Sequence, residues 1–171
     1  MLIYRVEQEQ NKFWFAARTR FGQELKIRDR LVVEQVEHFV PIADSRKRTK
    51  AAIPCLVFLK TTKAEALDLA NTGRVPIRYM VDCATHTLLV VPDKQMDDFR
   101  RVMDCSIEEG GLVDQPLSLG ERVRVTKGAL RGVEGHVLEL LGRTYVVVGL
   151  LGCIWAKAKV PRAYLERVGK E

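Results

Sequence analysis

The sequence predicts two folded parts in series: an α+β domain with helices packed on a mostly antiparallel sheet, then a small all-β barrel. Three observations predict this. Up to residue 104, short extended runs alternate with helical periodicity. From 105 to 119 the periodicity stops, and Glu108-Glu109-Gly110-Gly111 and Gln115-Pro116 supply linker chemistry. Beyond that only strand patterns occur, punctuated by glycine. The expected division is therefore 1–104 for the α+β domain, 105–118 for the linker and 119–171 for the barrel. The chain has 171 residues, which suits one domain or two small ones, and 47% of them are hydrophobic, enough for a core.

In the first domain, residues 1–12 are polar after Tyr4 and read as a lead-in. Phe13-Trp14-Phe15-Ala16-Ala17 is a compact apolar run and reads as a buried strand, which Arg18, Thr19 and Arg20 carry out to solvent. Phe21-Gly22 marks a turn. Residues 23–33 read as a helix, with Ile27 and Leu31 on one face beside Glu24, and Leu25 and Val32 broadening the stripe. Residues 36–40 form a short strand that Pro41 stops. Residues 53–59 are apolar almost throughout and read as a central strand. Residues 63–71 read as a helix capped by Thr61 or Thr62, with Ala66, Leu67 and Ala70 inward and Gly73 closing it. Residues 77–81 and 88–91 are extended. Pro92-Asp93 then starts a helix with proline in its first turn and Met96, Phe99, Val102 and Met103 on its apolar face.

In the second part, Val123 and Val125 alternate with Arg124 and Thr126, and His136-Val137-Leu138 resumes an extended run. Between them stand Gly128 and Gly132, with Gly135 just after, a spacing that calls for positive φ or close backbone approach. Residues 144–151 form a Val-rich strand. Ile154, Ala156, Ala158 and Val160 alternate with Cys153, Trp155, Lys157 and Lys159 until Pro161, and Tyr164-Leu165 begins a closing segment. Short strands packed into so few residues suit a closed barrel, which hides its edges.

The net charge of +6 suits a polyanionic partner, nucleic acid or an acidic protein face. Four basic residues fall within Ser45-Arg46-Lys47-Arg48-Thr49-Lys50, a run that must be solvated. Arg46, Lys47 and Arg48 read either as a nucleic-acid contact or as a charged hairpin tip. The four cysteines lie far apart with no C-x-x-C, so no metal site is expected, and their isolation fits a reduced, cytoplasmic protein. The N-terminus is too charged for a secretory signal, and no apolar run is long enough to span a bilayer. An enzyme is not expected: His38, His86 and His136 are scattered, no nucleophile–base or carboxylate pair stands at motif spacing, and no glycine loop opens a helix in phosphate-binding form. No cofactor is implied.

Gly120-Glu121-Arg122-Val123-Arg124-Val125, Lys127-Gly128, Gly132 and Gly135 resemble the KOW motif, the hairpin that opens an SH3-like barrel in several transcription and ribosomal proteins. With a strand opening on Trp14, the Glu24-x-x-Ile27 helix, the Pro54-containing third strand, the Pro92-initiated helix and the linker, the chain from about 13 to 168 resembles the NusG family of transcription elongation factors. Within that family it looks most like the UpxY-type branch, antiterminators of capsular and surface polysaccharide operons. The residues that point there are His38-Phe39-Val40-Pro41, Ile53-Pro54, Val57-Phe58, Arg78-Tyr79-Met80, Val91-Pro92-Asp93, Gln95-Met96 and Phe99. The general factors carry Pro-Gly-Tyr where this chain has Pro54-Cys55-Leu56, a departure that favours a paralogue.

The resemblance implies an NGN domain that grips the clamp helices of RNA polymerase through Ile53, Pro54 and Leu56, with Trp14 beneath or beside them. Trp14 and Leu56 also read as core. It implies recognition of an operon leader, as non-template DNA or nascent RNA, through Arg18, Arg20, Lys26 and Arg74, which read equally as a solvated basic face. It implies a protein partner for the KOW barrel, the termination factor Rho or a small ribosomal protein, at Leu130, Leu150 and Leu151. Trp155 is a further candidate contact there, or is half-buried. Cys153 stands where relatives often carry arginine. A monomer acting away from membranes is expected. The other reading of the chain is a general NusG-like elongation factor, or a KOW RNA-binding protein associated with the ribosome.

Overall fold

The computed structural model describes residues 11–43, 50–109, 111–112, 120–152 and 154–169. Most of the expected lead-in and Cys153 therefore lie outside the described residues. The chain is α+β, and its contacts group into two compact units, Met1–Asp93 and Lys94–Glu171. No helix among the described residues is long and apolar enough to cross a membrane.

The first unit is built on β1 (Phe13–Arg18) and β5 (Leu56–Thr61), paired antiparallel from Phe13↔Thr61 to Arg18↔Leu56. The strand β2 (Glu37–Phe39) flanks β5, while β6 (Arg78–Tyr79) and β7 (Val90–Val91) pair with the two halves of β1. Every one of these pairings is antiparallel. Both faces of the central pair are buried, which is why β1 and β5 read as continuous apolar runs rather than as alternation. On one face Ala17, Val57 and Leu59 join Ile27 and Leu31 of α1 (Glu24–Val33), Leu69 of α2 (Lys63–Asn71), and Val36, Val75 and Ile77. The other face carries Trp14, Ala16, Leu56 and Phe58, all buried. There Phe39 stacks on Phe58 with ring centroids 6.3 Å apart.

Three local expectations are corrected. The strand expected over 53–59 begins only at Leu56, because Pro54 and Cys55 form a turn and Cys55 takes φ +61°. The inward leucine of α2 is Leu69 at 1% exposure, not Leu67 at 42%. Ala66 and Leu69 are three apart, as a helix face requires, and position 67 turns away. On α1, Val32 and Val33 are exposed, so the apolar stripe is only Ile27 and Leu31 wide. The cap on α2 is as expected: Thr62 Oγ1 accepts from the Glu65 amide at 3.2 Å. Two short strands, β3 (Ile42–Ala43) and β4 (Lys50–Ala51), pair across the basic stretch, whose Arg46, Lys47 and Arg48 lie outside the described residues.

Helix α3 (Asp93–Glu109) continues past the expected start of the linker, and β8 (Gly111–Leu112) follows it. Residues 94–104, read from the sequence as the end of the first domain, group with the second unit. Polar bonds join α3 to the rest of that unit. Lys94 Nζ donates to Gly132 O at 2.9 Å and Gln95 Nε2 to Gly149 O at 2.8 Å, while Arg101 Nη2 donates to Ala129 O and Arg131 O at 2.8 Å each. The Asp98 carboxylate accepts from the Glu134 amide and pairs with Lys94.

The rest of the second unit is an antiparallel sheet in the order β13 (Leu165–Arg167), β9 (Arg122–Val125), β10 (Glu134–Leu140), β11 (Arg143–Leu150), β12 (Ile154–Lys159), β8. Val123 and Val125 point inward while Arg122 and Arg124 stay exposed, as the alternation predicts. Gly128 and Gly132 supply the positive φ of the β9–β10 turn, at 81° and 86°. Gly135 has a different reason: a Cβ there would stand 2.3 Å from the Val147 carbonyl oxygen of the facing strand. Leu141-Gly142 turns the chain between β10 and β11, and Leu151-Gly152 turns it after β11, each with both residues at positive φ.

Candidate nucleic-acid interface

The end of β1, the turn after it and the start of β6 build an open basic groove. Arg18 closes β1 directly opposite Arg78 of β6. Like charges facing each other across a ladder destabilise it, unless an anion sits between or beside them. Neither arginine makes an ion pair among the described residues, and both are exposed. Together with Thr19, Arg20, Pro76, Ile77, Tyr79, Met80 and Val81 they line a cavity of about 810 Å³. A second cavity, of about 520 Å³, shares Thr19, Arg20 and Pro76 with the first and extends past Phe21 to Lys26 and Arg30 on α1.

Two residues of the lining carry hydroxyls that the interior encloses, and the Tyr79 ring packs against the core that holds Ile27 and Leu31. The Thr19 and Tyr79 hydroxyls are buried and find no hydrogen-bond partner among the described residues. Burial, and secondarily the charge of Glu65, hold the Tyr79 phenol well above its ordinary range, so it stays a proton donor at any physiological pH. Phe21 stands 73% exposed at the rim. Guanidinium groups that can bind phosphates and a free aromatic face beside a cavity are components of a single-strand nucleic-acid site.

The groove is held in shape from beneath. The buried Glu24 carboxylate, in the first turn of α1, accepts from the Cys55 amide at 2.6 Å and the Gly22 amide at 3.3 Å. Cys55 O in turn accepts from the Thr19 amide at 3.1 Å. One side chain thus fixes the Phe21-Gly22 turn and the Pro54-Cys55 turn together, and a carboxylate is favoured at that helix end.

Of the basic residues proposed from the sequence, Arg18, Arg20 and Lys26 meet in this groove. Arg74 does not line it. Its guanidinium is spent between helices, on Glu34 at 2.7 Å after α1 and on Asp68 of α2, and its carbonyl accepts from Arg30 at 3.1 Å. Sequence reasoning left Arg78 and Tyr79 out of the site. Arg78 interrupts an otherwise apolar run, which is the signal that could have found it.

The residues expected at polymerase stand differently from one another. Trp14 is 1% exposed and Leu56 6%, on one sheet face but at opposite ends of the β1–β5 ladder. Lys60 Nζ lies 5.8 Å from the Trp14 ring centroid and pairs with Asp93 at 3.1 Å. Ile53 is half-buried and Pro54 exposed, both in the turn ahead of β5. In the second unit, Leu130 and Leu150 are buried, and Leu151 is partly open. Trp155 is half-buried over Gly149, whose absent Cβ would meet the indole at 2.5 Å, and it packs with the cluster of Leu138, Tyr145 and Val147.

Comparison with known proteins yields similarity in shape. No protein-family model matches the chain, and no curated protein matches it. Among solved structures it is similar to one described as domain interaction in Thermotoga maritima NusG, at 19% identity and a TM-score of 0.52, covering 93% of this chain and 98% of that one. It also aligns with the MjSpt4:Spt5 complex at 17% identity, over 92% of this chain and 99% of that one, but the TM-score of 0.31 is too low to bear on the fold. Over nearly its whole length, then, the chain shares the fold of the Thermotoga maritima protein.

Proposed function

We propose that the chain is a transcription elongation factor that binds RNA polymerase and promotes readthrough of a specific operon, of the capsular or surface polysaccharide kind that UpxY-type antiterminators serve. The observation that carries the reading is the exposed Arg18–Arg78 pair with its adjoining cavities, in a fold shared with the Thermotoga maritima NusG structure. In this reading the groove takes the leader of the operon as a single strand, with phosphates on Arg18, Arg20, Lys26 and Arg78 and a base on Phe21. The Pro54 turn and the neighbouring Ile53 meet the clamp helices of polymerase, while Trp14 and Leu56 support that surface from within. The barrel offers Leu151 and Trp155 to Rho or a small ribosomal protein. No bond chemistry is needed: binding the elongating state more tightly than the paused state shifts the balance towards readthrough.

Fluorescence anisotropy with the leader as non-template-strand DNA and as RNA tests the groove. Tighter binding of one of these than of a scrambled strand is expected. The double variant Arg18→Glu with Arg78→Glu should lose at least ten-fold, while the control Leu67→Ala, on the exposed face of α2, should change binding two-fold at most. Equal binding of leader and scrambled strands, unmoved by the charge reversal, overturns the groove as a reading site.

A further inference from the structure

The turns at the two ends of β11 share one sequence, Leu-Leu-Gly, at 140–142 and 150–152. In both, the second leucine takes positive φ, 49° at Leu141 and 56° at Leu151, followed by glycine at 73° and 68°. Hairpin turns of this form favour asparagine ahead of glycine, and a leucine there is sterically penalised. A bulky residue held in such a conformation calls for a reason beyond the turn itself.

The two ends of the sheet differ in what surrounds these leucines. Strand direction places the β9–β10 turn and Leu151 at one end and Leu141 at the other. The first end is engaged by α3, through the bonds of Lys94, Gln95 and Arg101 to Gly132, Gly149, Ala129 and Arg131. At the second end Leu141 is fully exposed. Beside it lies a groove of about 510 Å³ lined by Cys105 of α3 and by Gly142, Arg143, Lys159, Pro161 and Arg162 among others. Arg162 pairs with Glu139 at 2.7 Å, while Arg143 is exposed and makes no ion pair among the described residues.

We propose that the Leu141 turn is a protein-docking site, and that its partner is an acidic segment of another protein carrying an apolar pocket for the leucine side chain. Arg143, exposed and without an ion pair among the described residues, selects the acidic charge. The aliphatic side chain selects protein over nucleic acid, since it offers no aromatic face on which a base could stack. The site lies at the opposite end of the sheet from Leu130, Leu150 and Leu151, so it adds a contact to the proposed function and does not depend on it.

The test places the photo-cross-linking residue p-benzoylphenylalanine at position 141 of the full chain in its source cells. The cross-linked segment is sequenced, synthesised and titrated against the unmodified chain. The expected segment belongs to another protein and is net acidic. Its binding weakens at least ten-fold with Leu141→Asn and with Arg143→Glu, while Leu141→Asn raises the melting temperature because asparagine suits the turn. A cross-link to nucleic acid, to a second copy of this chain or to a segment without net negative charge overturns the proposal. So does the absence of any adduct, or binding unchanged by Leu141→Asn.

Discussion

Replacing Glu24 with alanine removes the acceptor that ties two turns together. The Cys55 amide loses a 2.6 Å bond to a carboxylate and the Gly22 amide a weaker one at 3.3 Å. A hydrogen bond to a charged group contributes about 1.5–3 kcal/mol, and the Cys55 amide is only part-buried, so the loss should be about 2 kcal/mol. For a chain of this length that corresponds to a fall of about 4–8 °C in Tm. Glu24→Gln keeps an oxygen acceptor without its charge and should lose about half as much. Because the chain has two units, global unfolding need not be a single transition, and amide hydrogen exchange is the sharper assay. The Cys55 amide should lose most of its protection in Glu24→Ala, and the Thr19 amide, which donates to Cys55 O, should follow. A variant that melts within about 0.5 kcal/mol of the parent, with the Cys55 amide still protected, would falsify the view that this carboxylate shapes the groove.

Three further outcomes follow from the packing and the electrostatics. Leu69→Ala should cost about 2–5 kcal/mol by thermal or urea unfolding, while Leu67→Ala, on the exposed face of the same helix, should stay within about 1 kcal/mol. Gly135→Ala drives a methyl group against the Val147 carbonyl 2.3 Å away, and should cost about 3 kcal/mol or more, seen as loss of the second unit's dispersed amide resonances while those of the first unit persist. Asp82 accepts from the Thr85 and Ala84 amides at 2.9 and 2.8 Å, and these bonds hold its carboxyl below the ordinary value of 3.8. A depressed pKa in the folded state means that the turn's stabilisation is complete well above that value and is lost as pH falls through the lower folded one. Asp82→Asn should therefore flatten the acid-induced loss of protection, relative to an unstructured amide, at the Ala84 and Thr85 amides between about pH 5 and pH 2.

Much of the fold is legible because periodicity and burial agree. β1, α1 and α3 each announce themselves by apolar spacing, and Thr62 and Gly73 mark the ends of α2 by their own local chemistry. The misreadings occur where tertiary geometry overrides composition. Ile53 and Pro54 look like strand because they are apolar, yet Cys55 turns the chain under the hold of Glu24, a partner 31 residues away. Leu67 and Leu69 are chemically equal, and only the docking of α2 decides between them. The polar bonds of α3 to Gly132, Gly149, Ala129 and Arg131 go to backbone carbonyls, which leave no trace in sequence. The candidate site is half legible. Arg18, Arg20 and Lys26 stand out as cations at element ends, but the Arg18↔Arg78 register exists only once β6 has paired with β1, and the removal of Arg74 from the groove depends on Glu34 and Asp68 lying close together.

The most direct test of the central claim is single-round transcription with RNA polymerase retained by the immobilised full chain from its source cells, on templates with and without the operon leader ahead of a terminator. The account predicts that polymerase is retained, that readthrough rises only when the leader is present, and that Pro54→Asp, at an exposed turn, abolishes both retention and readthrough. Recovery of ribosomal subunits in place of polymerase, or readthrough unchanged by the chain on the leader template, would contradict it.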